Sequence, residues 1–326
     1  MISTFPILTF TPQFKSVIWG GRRIAEFKGM PSQGDTIGES WELSGVPGHE
    51  SVVSEGPFKG QNLRGLLASY GKEIMGERLV KRYGDEFPLL IKLIDSADDL
   101  SVQVHPDDSL AGRRHNCPGK TEMWISVDPA PDAYLYAGFT APITPDEYRR
   151  QIADNTIIES LGKFYPRKGD VFFLPAGRVH SIGKGNFVLE IQETSDITYR
   201  IYDYDRRDAQ GNPRQLHVEE SMDAVDFNDT GSAAPTSIPS DLNTEHVIAD
   251  CDHFTTTAID VDGTMTLPLA SRDSFSIVAC IYGDATLTDP EGRVTPLPKG
   301  HTALVPAEMP QVTIDGTARI ITSYIR

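Results

Sequence analysis

The 326-residue sequence is poor in cysteine, in basic residues and in unbroken apolar runs. Its three cysteines, Cys117, Cys251 and Cys280, are odd in number, far apart and without a CxxC pair. That spacing offers neither a disulfide framework nor a thiolate zinc site and fits a reducing compartment. Lys and Arg total 30 against 46 Asp and Glu, a formal net charge of −16. Nucleic acid and anionic membrane, which require basic patches, are therefore excluded as general partners. An anionic small molecule would need Lys and Arg concentrated in one pocket. The opening MISTFPILTFTPQFK lacks the basic start and continuous apolar core of a signal peptide, and no window is long enough to span a bilayer. The expected location is the cytoplasm, and the expected state a monomer or weak homo-oligomer.

What is present divides the chain. At 35.9 kDa it can bury a substantial core and is expected to hold two domains. Residues 1–55 are short apolar runs broken by Gly, Pro and Ser, the spacing of strands and turns. Trp19 and Trp41 stand there beside polar groups, either as ordinary core aromatics or facing a sugar. Residues 61–83 switch to helical periodicity: Leu63, Leu66, Leu67 and Tyr70 form one stripe, and Ile74, Leu79 and Tyr83 suggest a second short helix. FPLLIKLI at 87–94 is a buried strand carrying one charge, Lys92, which either snorkels at an edge or faces a polar cavity. A helix over 146–154 is expected, with Thr144 as N-cap and Pro145 in its first turn. NDTGSAAPTSIPSDLN at 228–243 has little to bury and reads as a linker. The expected division is residues 1–228, a linker at 229–243 and a smaller β unit at 244–326.

The chain is organised around residues 100–124, LSVQVHPDDSLAGRRHNCPGKTEMW. In a strand there, Ser101, Gln103 and His105 share one face, and Val102 and Val104 the other. Asp107 and Asp108 read as the turn that ends the strand, not as catalytic groups. Glu122 lies beyond a Gly- and Pro-containing loop, where a second strand begins. If that strand pairs beside the first, an amide, an imidazole and a carboxylate converge as a metal site with open positions. Residues 168–185, KGDVFFLPAGRVHSIGKG, place His180 three residues after Gly177, following a strand and a Pro turn.

That second spacing resembles the second signature motif of the cupin barrels, whose histidine is a metal ligand. The set from Gln103 to Glu122 stands where the first cupin motif places its ligands, with Gln103 replacing the commoner first histidine. QVHPDD at 103–108, GKTEMW at 119–124, LPAGRVHSIG at 174–183 and EIQETSDITYRIYDYDR at 190–206 together resemble the type I mannose-6-phosphate isomerases in their short bacterial form. The likeness runs from about residue 10 to 220, and the last third matches in outline only. It implies a mainly β fold: a cupin (jelly-roll) barrel with small helical insertions, plus a second, metal-free cupin-like β domain at the C-terminus. In the second unit Gln311 falls where the histidine would stand. The resemblance further implies one Zn²⁺ held by Gln103, His105, Glu122 and His180, with Arg200, Asp196 and Lys120 as active-site residues and a small-molecule sugar phosphate as substrate.

Interconverting an aldose and a ketose phosphate moves a proton between C2 and C1 through an enediol(ate), whose oxyanion must be stabilised. Permanently charged Arg200 suits the oxyanion or the phosphate and not the role of base. The candidate proton shuttles are Asp196, Lys120 and a metal-bound water. Four residues apart, Asp196 and Arg200 would share one face, where a structural salt bridge is the plain alternative. Tyr199, Tyr202 and Tyr204 could line a sugar site, although aromatic packing also accounts for them. Two further readings stay open at this level. Two histidines and a carboxylate also suit an Fe(II) oxygenase, and a non-catalytic sugar-phosphate sensor could keep the fold.

Overall fold

The structure is a computed structural model describing residues 4–31, 34, 36–207, 211–230 and 234–326. Three antiparallel sheets of seven, five and eight strands are stacked against one another. The centre of the seven-stranded sheet is formed by Leu89–Asp95, Phe187–Glu193 and Glu122–Ser126, every residue of which is buried. Covered on both faces, Leu89–Asp95 reads as a near-continuous apolar run broken by Lys92, whereas Phe187–Glu193 buries Glu190, Gln192 and Glu193 among its apolar residues.

One face of this sheet packs on the five-stranded sheet. Ile94, Trp124, Phe172 and Leu174 meet Leu135, Ala137 and Ile182 in a shared cluster. The other face, with Ile91, Leu93, Met123, Ile125 and Leu189, joins the largest cluster. There it meets the helices Leu63–Met75 and Glu77–Tyr83 and the eight-stranded sheet through Ile277, Ala279 and Leu304. The N-terminal strand Leu8–Thr11 belongs to that eight-stranded sheet, paired with Thr302–Val305, so the two ends of the chain share a sheet. Thr236 and Ser237, in the Pro/Ser-rich stretch, pair with Val171 and Asp170. No helix among the described residues is long and apolar enough to cross a membrane.

Several local expectations hold. Thr144 caps the helix Pro145–Ala153 in a full capping box with Glu147. Asn62, not singled out in the sequence, likewise caps Leu63–Met75 through the Gly65 amide. Two differ. Tyr70 is 38% exposed and not part of the stripe, because its backbone leaves helical geometry and kinks the helix there. Ile74 lies beyond that kink, in the last turn of Leu63–Met75, and Leu79 and Tyr83 lie in the separate helix Glu77–Tyr83. The segment after Gln103 and His105 is not all loop: Asp107 accepts from the Leu110 amide and starts a helix, Asp108–His115, closed by left-handed Asn116.

Candidate metal centre and active-site cavity

Gln103 is the middle residue of Val102–Val104 in the five-stranded sheet. Its register partners are His180 on one side and Arg200 on the other, which sets the three in a row on one face. His105 follows the end of that strand. Glu122 opens a strand of the seven-stranded sheet, opposite Leu174 and Gln192. The two ligand strands do not pair side by side, the one arrangement the sequence suggested, yet their side chains still converge. The helix Asp108–His115 and the turn after it carry the chain from one sheet to the next, and the carboxylate meets the imidazoles across the interior.

The convergence is close. Glu122 Oε2 lies 3.6 Å from His105 Nε2, and Oε1 lies 3.3 Å from His180 Nε2. Gln103 Nε2 is 3.3 Å from the same His180 nitrogen, and half a turn of the amide brings Oε1 there instead. Each histidine uses its other nitrogen on a backbone carbonyl: His105 Nδ1 with Ile197 O at 2.9 Å, His180 Nδ1 with Arg178 O at 2.8 Å. Such bonds place the proton on Nδ1 and leave both Nε2 lone pairs facing inward. Gly177, at φ +90°, donates its N–H to His105 O at 2.9 Å and so ties the second motif to the first.

Burial dominates the electrostatics. It pushes His105 well below the ordinary imidazole value, with help from Lys120, and brings His180 down to about 3. The same burial raises Glu122, against the pull of Lys120. Glu122 Oε2 faces the Lys120 ammonium at 2.8 Å, which also stands 3.2 Å from His105 Nε2, while Oε1 faces His180 Nε2. Two neutral imidazoles, an amide and a buried carboxylate, converging on one point, form a set that fits a divalent cation.

Beside the cluster lies a cavity of about 390 Å³. Gln103 and Lys120 belong to both: they touch the cluster and line the cavity, whose wall also carries Asp196 and Arg200. Asp196 is exposed in the loop before Tyr199–Tyr202, not on that strand as its spacing suggested. No ion pair joins it to Arg200, which instead donates to Ser101 Oγ at 3.3 Å and to Gln215 O at 3.1 Å.

The comparisons with known proteins agree with this geometry. The model of the type I phosphomannose isomerase catalytic domain matches residues 7–131, and that of the mannose-6-phosphate isomerase cupin domain matches 243–325. Mannose-6-phosphate isomerase ManA of Bacillus subtilis is 34% identical over 329 residues, 98% of each chain. The chain belongs to the type I phosphomannose isomerases. A mannose-6-phosphate isomerase from Streptococcus mutans is 33% identical over 96% of each chain. The crystal structure of the mannose 6-phosphate isomerase from Bacillus subtilis superposes with a TM-score of 0.86 at 34% identity, covering 98% of this chain and all of that one. The mainly β cupin architecture and the isomerase class follow.

In this type I phosphomannose isomerase the cavity holds more than the sequence motifs announced. Trp19 and Trp41 both line it while packing in the interior, so core and cavity roles coincide. Lys92 faces the cavity and not an edge, paired with Glu190 at 2.9 Å. Glu190 was missed as a site residue, although a charge inside a fully buried strand is the same signal that singled out Lys92. Arg214 and His217 were also missed; they come from a polar stretch with no periodicity to mark them. Lys92, Lys120, Arg200 and Arg214 line the cavity together with Glu39, Glu190 and Asp196; Lys92, Lys120 and Arg214 are each paired with a carboxylate, which leaves Arg200 the least compensated of the four. Tyr199 is buried in a separate cluster, and Tyr202 and Tyr204 pack on each other at 4.9 Å; none of the three lines the cavity.

Proposed function

We propose that the protein interconverts mannose 6-phosphate and fructose 6-phosphate with one Zn²⁺ on Gln103, His105, Glu122 and His180. The observation that carries this reading is that one cavity of hexose-phosphate size is walled by Gln103, Lys120, Asp196 and Arg200. Only one of the four ligands is charged, so a bound zinc ion would keep net positive charge and supply Lewis acidity toward the oxygens on C1 and C2.

The remaining chemistry falls to side chains. Arg200, Arg214 and His217 are neighbours: the Arg200 amide donates to His217 Nδ1 at 3.2 Å, and Arg214 adds to burial in lowering Arg200. That end of the wall suits the phosphate, while the rigid Arg200 fork also reaches toward developing oxyanion charge. Lys120, held against Glu122 and His105, is placed to donate to a substrate oxygen. We assign to Asp196 the removal of the C2 proton of mannose 6-phosphate. The proton's return to C1 of the enediolate, with a proton shift from O2 to O1, gives fructose 6-phosphate.

The test is metal analysis of the purified protein together with a fructose 6-phosphate assay before and after chelation. About one zinc per chain, with activity lost on chelation and restored by zinc, is the expected result. Metal without isomerisation would reject the activity, and absence of bound metal would reject the ligand set.

A further inference from the structure

The segment that delivers Lys120 and Glu122 is held from outside the cavity. Its successive amides each have an acceptor: Gly119 N–H on Asp108 Oδ1 at 2.8 Å, Lys120 N–H on Pro106 O at 3.1 Å, and Thr121 N–H on Glu193 Oε2 at 2.7 Å. The Glu193 amide returns a bond to Thr121 O at 3.1 Å. The packing is tight, since a Cβ at Gly119 would stand 2.5 Å from the Asp107 carbonyl carbon. Two carboxylates, Asp108 and Glu193, thus bracket Lys120.

His253 stands against both. Its Nδ1 is 2.8 Å from Glu193 Oε1 and 3.9 Å from Asp108 Oδ2. It comes from the turn between His246–Asp250 and Thr255–Pro268 of the eight-stranded sheet. Cys251 N–H closes that turn on Phe254 O at 3.0 Å, and Phe254, fully buried, fixes it in the shared core. The imidazole is therefore rigidly presented by one sheet to a segment that belongs to another.

His253, Glu193 and Asp108 are also close enough to hold a cation. Their hydrogen bonds favour a different role. Both Glu193 oxygens are engaged, one by Thr121 N–H and one by His253, and Asp108 Oδ1 is taken by Gly119 N–H. The Glu193 bond raises His253 above the ordinary imidazole value, Asp108 adds to this, and burial and Arg82 oppose it. A hydrogen-bonded imidazole donor accounts for each contact.

We propose that His253 is a positioning residue for Lys120 and Glu122, acting through Glu193 and Asp108. By holding Glu193 through a hydrogen bond, with Asp108 opposite it by charge alone, it lets the eight-stranded sheet set the placement of residues 119–122, although among the described residues none beyond His217 lines the cavity. This role rests on the isomerase reading above and deepens it.

The experiment compares His253→Ala and His253→Gln with the parent as full-length, zinc-loaded chains; Gln keeps an N–H donor for Glu193. The expected result for H253A is about tenfold lower kcat with KM within about twofold, at unchanged zinc content. Amide hydrogen exchange over residues 119–123 should accelerate in H253A, and H253Q should recover most of both effects. Unchanged exchange in H253A, or a loss of kcat that Gln does not recover, overturns the proposal. Exchange is read with or without turnover. A parent that fails to isomerise mannose 6-phosphate therefore rejects the isomerase reading, while exchange still judges the brace.

Discussion

Lys92 and Glu190 are direct register partners on neighbouring strands, and their side chains meet at 2.9 Å on the cavity wall with almost no exposure to solvent. Burial opposes both charges. Glu190 and Glu39 nevertheless hold Lys92 charged well above the usual lysine range, and Lys92 and Lys120 hold Glu190 ionised below the usual carboxylate range. Trp124 Nε1–H adds a bond to Glu190 at 2.9 Å. A fixed, paired charge in the sheet core is costly unless both members are present.

Lys92→Met is accordingly expected to lower stability by about 3 kcal/mol, because it leaves the Glu190 carboxylate buried without its ammonium. The double variant Lys92→Met/Glu190→Leu should regain stability in urea unfolding without regaining turnover. Equal stability of K92M and the parent would show that the pair contributes nothing to folding.

If the proposed ligand set holds zinc, the ion should stabilise the fold. At a free cation concentration a thousandfold above Kd, binding adds about 4 kcal/mol, seen as a fall in Tm on chelation and a rise on zinc return. His180→Ala should abolish that response. A zinc-dependent Tm that survives in H180A would place the cation elsewhere.

Arg200→Ala is expected to lower kcat by about 10² to 10³ at unchanged metal content, the usual cost of losing one fixed donor to developing charge. Arg200→Lys should recover little, since an ammonium does not reproduce the guanidinium fork that spans Ser101 and Gln215. Steady-state kinetics with metal analysis of the same samples decides this.

Asp196→Asn should lower kcat by about 10² to 10⁴ with little change in KM, as expected for a lost general base. Exchange of the substrate C2 hydrogen with deuterated solvent should fall in parallel. Full exchange in D196N would move the base to Lys120 or to water.

Asp203 grips Arg206 and Arg214 near the cavity, with Arg214 Nε at 2.6 Å. Burial opposes its ionisation, but the two guanidiniums prevail and its pKa is lowered. A depressed folded-state value means stability fully present above the ordinary carboxylate range, about pH 4, and lost as pH falls through the folded value. Thermal melts between neutral and strongly acid pH should show a shallower acid loss in Asp203→Asn than in the parent. Identical acid slopes would remove Asp203 from the account.

What the sequence by itself determined is local. The strand face carrying Gln103 and His105, the Pro-Gly turn before His180, the Thr144 cap and the buried run 87–94 each follow from spacing within a few residues, and family-specific motifs added the isomerase likeness. Tertiary structure decided what depends on register between distant strands. It set Glu122 across the interior from His105 and not beside it, and turned Lys92 toward Glu190. It brought Arg214 and His217 to the cavity and seated His253 behind Lys120. It also started a helix at Asp108 where turn residues suggested only a loop, since an Asp that ends a strand can equally cap a helix. Local periodicity states which side of a strand a residue occupies; only packing of the sheets states what it faces there.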